Sequence, residues 1–373
     1  MTAAVARRTD HGNVAKDTNR GRAPGRVAAP RLARHTIHLP DGHPVGVTVA
    51  GKGVPLVVVH GFTAEGFLYA QTLSRLVSMG FKVVAVDTAS HGGTAGLPDR
   101  GANLKSYAEL LGRILDELGI RRAVFAGHSM GGRLVVELVA REPRRGIAVI
   151  LINAIVGDTW DGMVQLFRVA PPLLVGAGAG LAIDTATTFP LIRDPAQAAK
   201  LVRLLAPTVI DHVRQPWRMV APALSILRSG SSGWMLERLA QECIPVVVIH
   251  GERDVVVPLR TARDAARRAR GELVVVHGGT HSWLLKDPES LPAIMAPLLD
   301  GPIGDAYWLA VAAAGLDPET ATVADIERGL YDTDAPVLAL TPPLEFEPTG
   351  EVRYRPRYRH TRVPAVELLD GKG

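Results

Sequence analysis

Cysteine is nearly absent from this chain. The lone Cys243 excludes an intrachain disulfide framework and any cysteine-based zinc or iron–sulfur cage. Long apolar runs are missing too. The longest, Val169 to Ile183, has 15 residues with two prolines and three glycines, short of the roughly 18 that a membrane span needs. Acids are scarce at the N-terminus, where residues 1–34 hold eight Arg or Lys and two Asp. The net charge of +5 therefore divides into +6 for that segment and −1 for the remaining 339 residues. The basic pI belongs to the tail, and nucleic-acid binding by the folded part gains no support from it. The tail also lacks an apolar h-region, so Arg7-Arg8 does not read as an export signal and a cytoplasmic location is the default expectation. No internal repeat is visible.

What is present points to a globular protein with a sizeable core: 373 residues, 47% hydrophobic and 21% charged. Residues 1–34, without apolar periodicity, are expected to be a disordered tail. A regular alternation then begins. Leu32–Leu39 and Pro44–Ala50 flank a Pro-Asp-Gly turn. Leu56–His60, Phe81–Val86, Arg122–Ala126, Ile147–Ile152, Pro245–Ile249 and Glu272–Val276 are short, β-branched runs of the kind buried on both sheet faces. Helical spacing fills the intervals, with Gly80, Gly119, Pro143 and Gly271 as stops. Such alternation predicts a mostly parallel sheet covered by helices on both faces.

The stretch 157–241 breaks the rhythm: it is helix-like, rich in Leu, Ala, Arg and Pro, and reads as a helical cap inserted between core segments 35–156 and 242–300. Its Gly-Ala-Gly-Ala-Gly at 176–180 follows no strand and so carries little weight as a dinucleotide site. Residues 301–373 form a C-terminal extension with two possible helices (Ala306–Gly315, Val323–Leu330) and, at Arg353–Arg362, a possible edge strand or extended arm.

The strongest chemical signal is Gly127-His128-Ser129-Met130-Gly131-Gly132, a G-x-S-x-G between a strand and a helix. A serine there sits on a turn too tight for side chains at either flanking glycine, above a helix N-terminus that favours a developing anion. Serine is a poor nucleophile without a base. The loop after the last core strand offers His277 and His281; His281, past a Gly-Gly turn, has the greater freedom to reach Ser129. An acid must fix the tautomer of that base. Asp254, beyond the preceding strand, is preferred over Glu252, which is expected to pair with Arg253. The order Ser129, Asp254, His281 is the chain order of α/β-hydrolases. Two backbone N–H groups, of Phe62 and Met130, are expected to form the oxyanion hole.

These motifs resemble the α/β-hydrolase superfamily over about residues 35–300: His60-Gly61-Phe62, the Ser129 elbow, Gly251-Glu252-Arg253-Asp254 with Val257-Pro258, and Gly279-Thr280-His281, with Asp87–Thr94 similar to the family's loop after the fourth strand. The resemblance implies an α/β-hydrolase fold, with an eight-stranded, mostly parallel sheet and an inserted helical cap. It implies a serine hydrolase acting on a small-molecule carboxylic ester, with no metal or organic cofactor. A serine nucleophile disfavours the epoxide- and halide-displacing members, which use aspartate. Perhydrolases and acyltransferases share the triad. Phe62, His128, Trp160, Phe167, Trp217 and Trp283 are expected to contact substrate, together with Phe189 and Trp234 as cap aromatics; His128 and Trp283 have buttressing as their alternative. Two other functions stay open. One is carbon–carbon bond hydrolysis of a dienone-like metabolite, with Arg193, Arg203, Arg214 and Arg218 as acid-holding groups. The other is a non-catalytic binding protein. The five arginines of Leu259–Arg270 read as a solvated face.

Overall fold

The computed structural model describes residues 32–62, 64–98, 103–187, 213–342 and 355–369, with scattered positions between 188 and 212. The tail 1–31, together with Phe189, Arg193 and Arg203, lies outside the described residues.

The eight strands expected from the sequence are present, and a ninth extends the sheet, so eight-stranded is corrected to nine-stranded. The strands are β1 (Ala33–His38), β2 (Pro44–Ala50), β3 (Val54–Val59), β4 (Phe81–Val86), β5 (Ala123–His128), β6 (Gly146–Ile152), β7 (Val246–Gly251), β8 (Glu272–Val276) and β9 (His360–Val363), in the order β1-β2-β4-β3-β5-β6-β7-β8-β9. β4 to β8 run parallel through β3, β5, β6 and β7, and β1, β2 and β9 are antiparallel to their neighbours. β1 begins inside the segment expected to be tail, where Arg34 pairs with Glu65 at 3.0 Å.

The central strands are buried along their whole length, which explains their continuous Val/Ile runs: neither face meets water. Two helix sets cover them. Leu104–Glu117, Met130–Arg141, Gly233–Gln241 and Leu259–Arg268 pack among themselves on one side, and Ala70–Val77, Ser290–Leu299 and Pro302–Ala313 do so on the other. Helix Leu104–Glu117 starts where the Asn103 side chain accepts the Ser106 N–H at 2.8 Å, a side-chain N-cap. Between β6 and β7 the described residues of 157–241 contain helices Asp158–Val169, Pro171–Ala186, Val220–Leu227 and Gly233–Gln241, and no strand.

The C-terminal extension is knitted to the core. Helix Val323–Leu330 lies at the N-terminal ends of the strands: Glu327 accepts the Gly53 N–H at 2.9 Å and pairs with buried Lys82 at 3.4 Å, and the Tyr331 hydroxyl donates to Gly53 O at 2.9 Å. No helix among the described residues is long and apolar enough to cross a membrane.

Candidate active site

Parallel strands deliver their C-terminal ends to one edge of the sheet, and the loops there converge. Ser129 stands directly after β5 and before helix Met130–Arg141, with φ 52° and ψ −117°. This left-handed backbone is costly for a residue with a Cβ and persists only where the surroundings impose it. They do so here. The Ser129 N–H donates to Ile152 O at 2.9 Å, while its carbonyl accepts from Gly132 and Ile155 at 3.1 and 3.2 Å. A Cβ at Gly131 would lie 2.1 Å from Val59 O, and one at Gly127 2.5 Å from Gly132 N. The flanking glycines are thus required by collision with backbone, as the motif predicts. Met130 is buried at the start of the helix.

Asp254 lies beyond β7, fully buried. Its Oδ1 accepts the N–H groups of Val256 and Val257, both at 2.8 Å, and its Oδ2 accepts Nδ1 of His281 at 2.8 Å and the side-chain amide of Asn153 at 2.6 Å. Burial alone pushes this carboxyl up. The adjacent His281 and His250 and the Val257 N–H outweigh it, leaving Asp254 below its ordinary 3.8. His281 is buried on the loop after β8 and turns its ring toward His128, centroid to centroid 4.9 Å. His277 and Glu252, the alternatives for base and acid, stand together elsewhere. Their side chains are 3.6 Å apart, Glu252 accepts the Gly278 N–H at 2.9 Å, and His277 Nε2 meets Thr361 Oγ1 at 2.7 Å. Glu252 thus has His277 as its nearer partner, with the Arg253 charge acting on it as well.

Phe62 is half-buried beyond β3. Its loop is pressed against the elbow: a Cβ on Gly61 would lie 3.1 Å from that of Ser129. Histidines hold this loop from behind. His60 Nδ1 donates to Gly61 O at 2.8 Å, its Nε2 accepts the Thr88 N–H at 2.9 Å, and His91 Nε2 donates to Phe62 O.

The structure gives each residue expected to contact substrate its own setting. His128 has both ring nitrogens engaged, Nδ1 with the Tyr69 hydroxyl and Nε2 with His281 O, each at 3.0 Å, and burial pushes it down to about 3. It is a neutral spacer between helix and loop. Trp283 is wholly buried and donates its indole N–H to Asn153 Oδ1 at 2.9 Å. Trp217 is 64% exposed. Trp234 is also exposed, with the Arg141 guanidinium 5.6 Å from its ring. Trp160 and Phe167 are buried and pack edge to face at 6.2 Å. Arg218 is spent on Asp211 and on the carbonyls of Gly92 and Thr94, so it is not free to hold a substrate acid. The arginines at the end of helix Leu259–Arg268 are partly paired: Arg267 meets Asp264, and Arg268 meets Asp158 and Glu237.

The residue that sequence reasoning missed is Asn153, directly after β6, with φ 46° and no exposure. Its amide orientation is fixed by chemistry: an indole N–H can only donate, so Oδ1 must face Trp283 and the NH₂ must face Asp254. That NH₂ also reaches Thr280 O at 3.2 Å. The signal available in the sequence was an asparagine breaking an otherwise apolar strand end, Leu151-Ile152-Asn153-Ala154. No group of His, Cys, Asp and Glu among the described residues has the arrangement of a metal site.

Comparison with known proteins agrees with this fold. The Hydrolase_4 family model, described as serine aminopeptidase S33, matches residues 54–289. A candidate non-heme haloperoxidase of Mycobacterium phage D29 is 32% identical over 277 residues, 72% of this chain and 96% of that protein. A monoacylglycerol lipase of Mycolicibacterium smegmatis is 25% identical over 261 residues, 68% and 87% respectively. Among solved structures, an esterase of Rhodococcus sp. ECU1013 superposes with a TM-score of 0.54 at 22% identity, covering 74% of this chain and 99% of that one.

Proposed function

The chain belongs to the α/β-hydrolase superfamily, and from that premise we propose that it is a serine hydrolase cleaving carboxylic esters of hydrophobic small molecules through an acyl-enzyme. Ser129 is the nucleophile. Nδ1 of His281 is committed to Asp254, which leaves Nε2 to take the serine proton and return it to the leaving alcohol. Asp254, held ionised by its four donors, keeps that tautomer and stabilises the imidazolium. Asn153 orients Asp254. The N–H groups of Phe62 and Met130 receive the oxyanion. Water, deprotonated by the same histidine, then releases the acid.

The observation that carries this reading is the left-handed Ser129 on its strand-to-helix turn, with the Asp254-bound His281 ring tilted against the preceding residue, His128, at 4.9 Å between centroids. A preference for apolar acyl groups is supported by the scarcity of charge along helix Pro171–Ala186. A panel of chromogenic esters of increasing chain length, run beside fluorophosphonate labelling, tests both points. Labelling at Ser129 with medium-chain esters favoured is the expected result. Absence of labelling removes the nucleophile, and acetyl esters outrunning every longer one removes the apolar preference.

A second reading is favoured by the phage relative's name. Hydrogen peroxide in place of water would attack the same acyl-enzyme carbonyl, pass its proton to His281, and leave as a peracid while Ser129 is regenerated. Carboxylic acid, peroxide and a peracid-trapping dye distinguish this perhydrolysis from simple hydrolysis.

A further inference from the structure

The family match ends at residue 289, yet the chain returns to the site after it. The segment 355–363 grips the His281 loop at both of its ends. At the strand end, β9 pairs antiparallel with β8 from Leu273 to Val276. The His277 N–H donates to Arg359 O at 2.9 Å, and the His277 ring meets Thr361 Oγ1 at 2.7 Å. At the helix end, the N–H groups of Arg355 and Arg357 donate to Glu289 Oε2 and Asp287 Oδ2 at 2.8 and 2.6 Å. The Tyr358 N–H reaches Ser290 Oγ at 3.4 Å. Between these grips, the Tyr358 ring stands edge-on to Trp283, centroids 6.3 Å apart. Trp283 donates to Asn153, and Asn153 donates to the same Asp254 oxygen that holds His281.

We propose that residues 355–363 are a brace that positions the His281 loop, with Tyr358 as the positioning residue that seats Trp283 and, through Asn153, the Asp254 carboxylate. The kinetic consequence rests on the hydrolase reading above; the mechanical one does not. Tyr358 touches none of the reacting groups, so its loss leaves the chemistry's components in place and loosens their alignment. Small misplacements of that kind cost up to about a hundredfold in rate. Because the brace acts on the catalytic loop and not on an acyl pocket, the loss falls on kcat with KM little changed.

The test compares the full-length wild type with Tyr358→Ala and Tyr358→Phe, well below the melting transition, by amide hydrogen exchange and by ester kinetics normalised to fluorophosphonate-titrated sites. For Tyr358→Ala the expected result is faster exchange across residues 277–290, unchanged exchange in β5, kcat per site lower by about 10- to 100-fold, and KM within about twofold. Tyr358→Phe keeps the ring edge and restores both readouts. If Tyr358→Ala does not fold, Tyr358→Leu, which fills the space without the ring, takes its place with the same expectations. Unchanged exchange at 277–290 overturns the brace. Exchange rising equally throughout the chain, with kcat per site intact, overturns it in favour of a merely stabilising contact. A wild type without Ser129-dependent turnover refutes the hydrolase reading instead, and the brace is then decided by exchange alone.

Discussion

The C-terminal edge of the sheet and the insertion between β6 and β7 are built on opposite plans. At the sheet edge polar capacity is matched closely: Asp254 takes four donors, and Asn153 uses both its oxygen and its NH₂. Such a network is rigid, because loosening any member strands another in a buried setting. The insertion shows the reverse. Val169, Val175 and Ile183 are more than half exposed, as are Val213 and Trp217. Polar anchors to the core include Asp184 Oδ2 receiving the Ser282 N–H at 2.8 Å, Lys286 Nζ donating to Thr187 Oγ1 at 3.0 Å, and Arg218 on the carbonyls of Gly92 and Thr94. The lesson is a division of labour: the strand ends tolerate no slack, while the insertion, though anchored to the core, keeps large apolar side chains at its surface.

Substitutions on either side of that divide should therefore differ steeply. Ser129→Ala should lower ester turnover by about 10⁴- to 10⁶-fold with folding intact, read as kcat beside the melting temperature. Gly131→Ala drives a methyl into Val59 O and should cost several kcal/mol, on the order of 4 or more, or leave the chain insoluble; denaturant unfolding measures it. Asn153→Ala should lower kcat by about 10- to 100-fold with KM nearly constant, because Asp254 loses its fixed donor.

Acid should act on the rigid side first. His128 is held in the fold far below its ordinary 6.5, at about 3. Between these values the unfolded chain binds a proton that the native histidine refuses, so stability falls as pH falls. The slope from His128 alone is about 1.4 kcal/mol per unit, or about 2 kcal/mol between pH 6.5 and 5. Burial lowers His250 in the same direction. His128→Asn should flatten the pH dependence of the denaturation midpoint in that window. At the small end, Trp217→Ala, on the exposed side, should change stability by no more than about 0.5 kcal/mol; a larger loss would mean that this indole packs more firmly than its 64% exposure implies.

The same contrast explains what could be read from residues alone. Strands buried on both faces leave continuous runs such as Leu56–Val59 and Val246–Ile249, and the elbow needs glycines at fixed places, so the sheet and the positions of Ser129, Asp254 and His281 were legible. Asn153 was not, since its value lies in partners that are distant in sequence: Trp283 and Asp254. Which cap face turns inward was not legible, because Leu, Ala and Gly surround helix Pro171–Ala186 on every side and leave no stripe. The ninth strand was legible only as one of two options for Arg353–Arg362, edge strand or extended arm, because His-Thr-Arg-Val alternates too briefly to decide and its partner is 84 residues away (Thr361 from His277).

β9 has one more effect. β8 reads Glu-Leu-Val-Val-Val, and a bare rim of that kind would offer its unpaired amides to any passing chain. By occupying that rim with a short, arginine-bearing segment whose Arg362 is clamped to Glu272, the protein denies itself a template for self-stacking, so a chain cut short before residue 355 should clump at concentrations where the intact one stays dispersed.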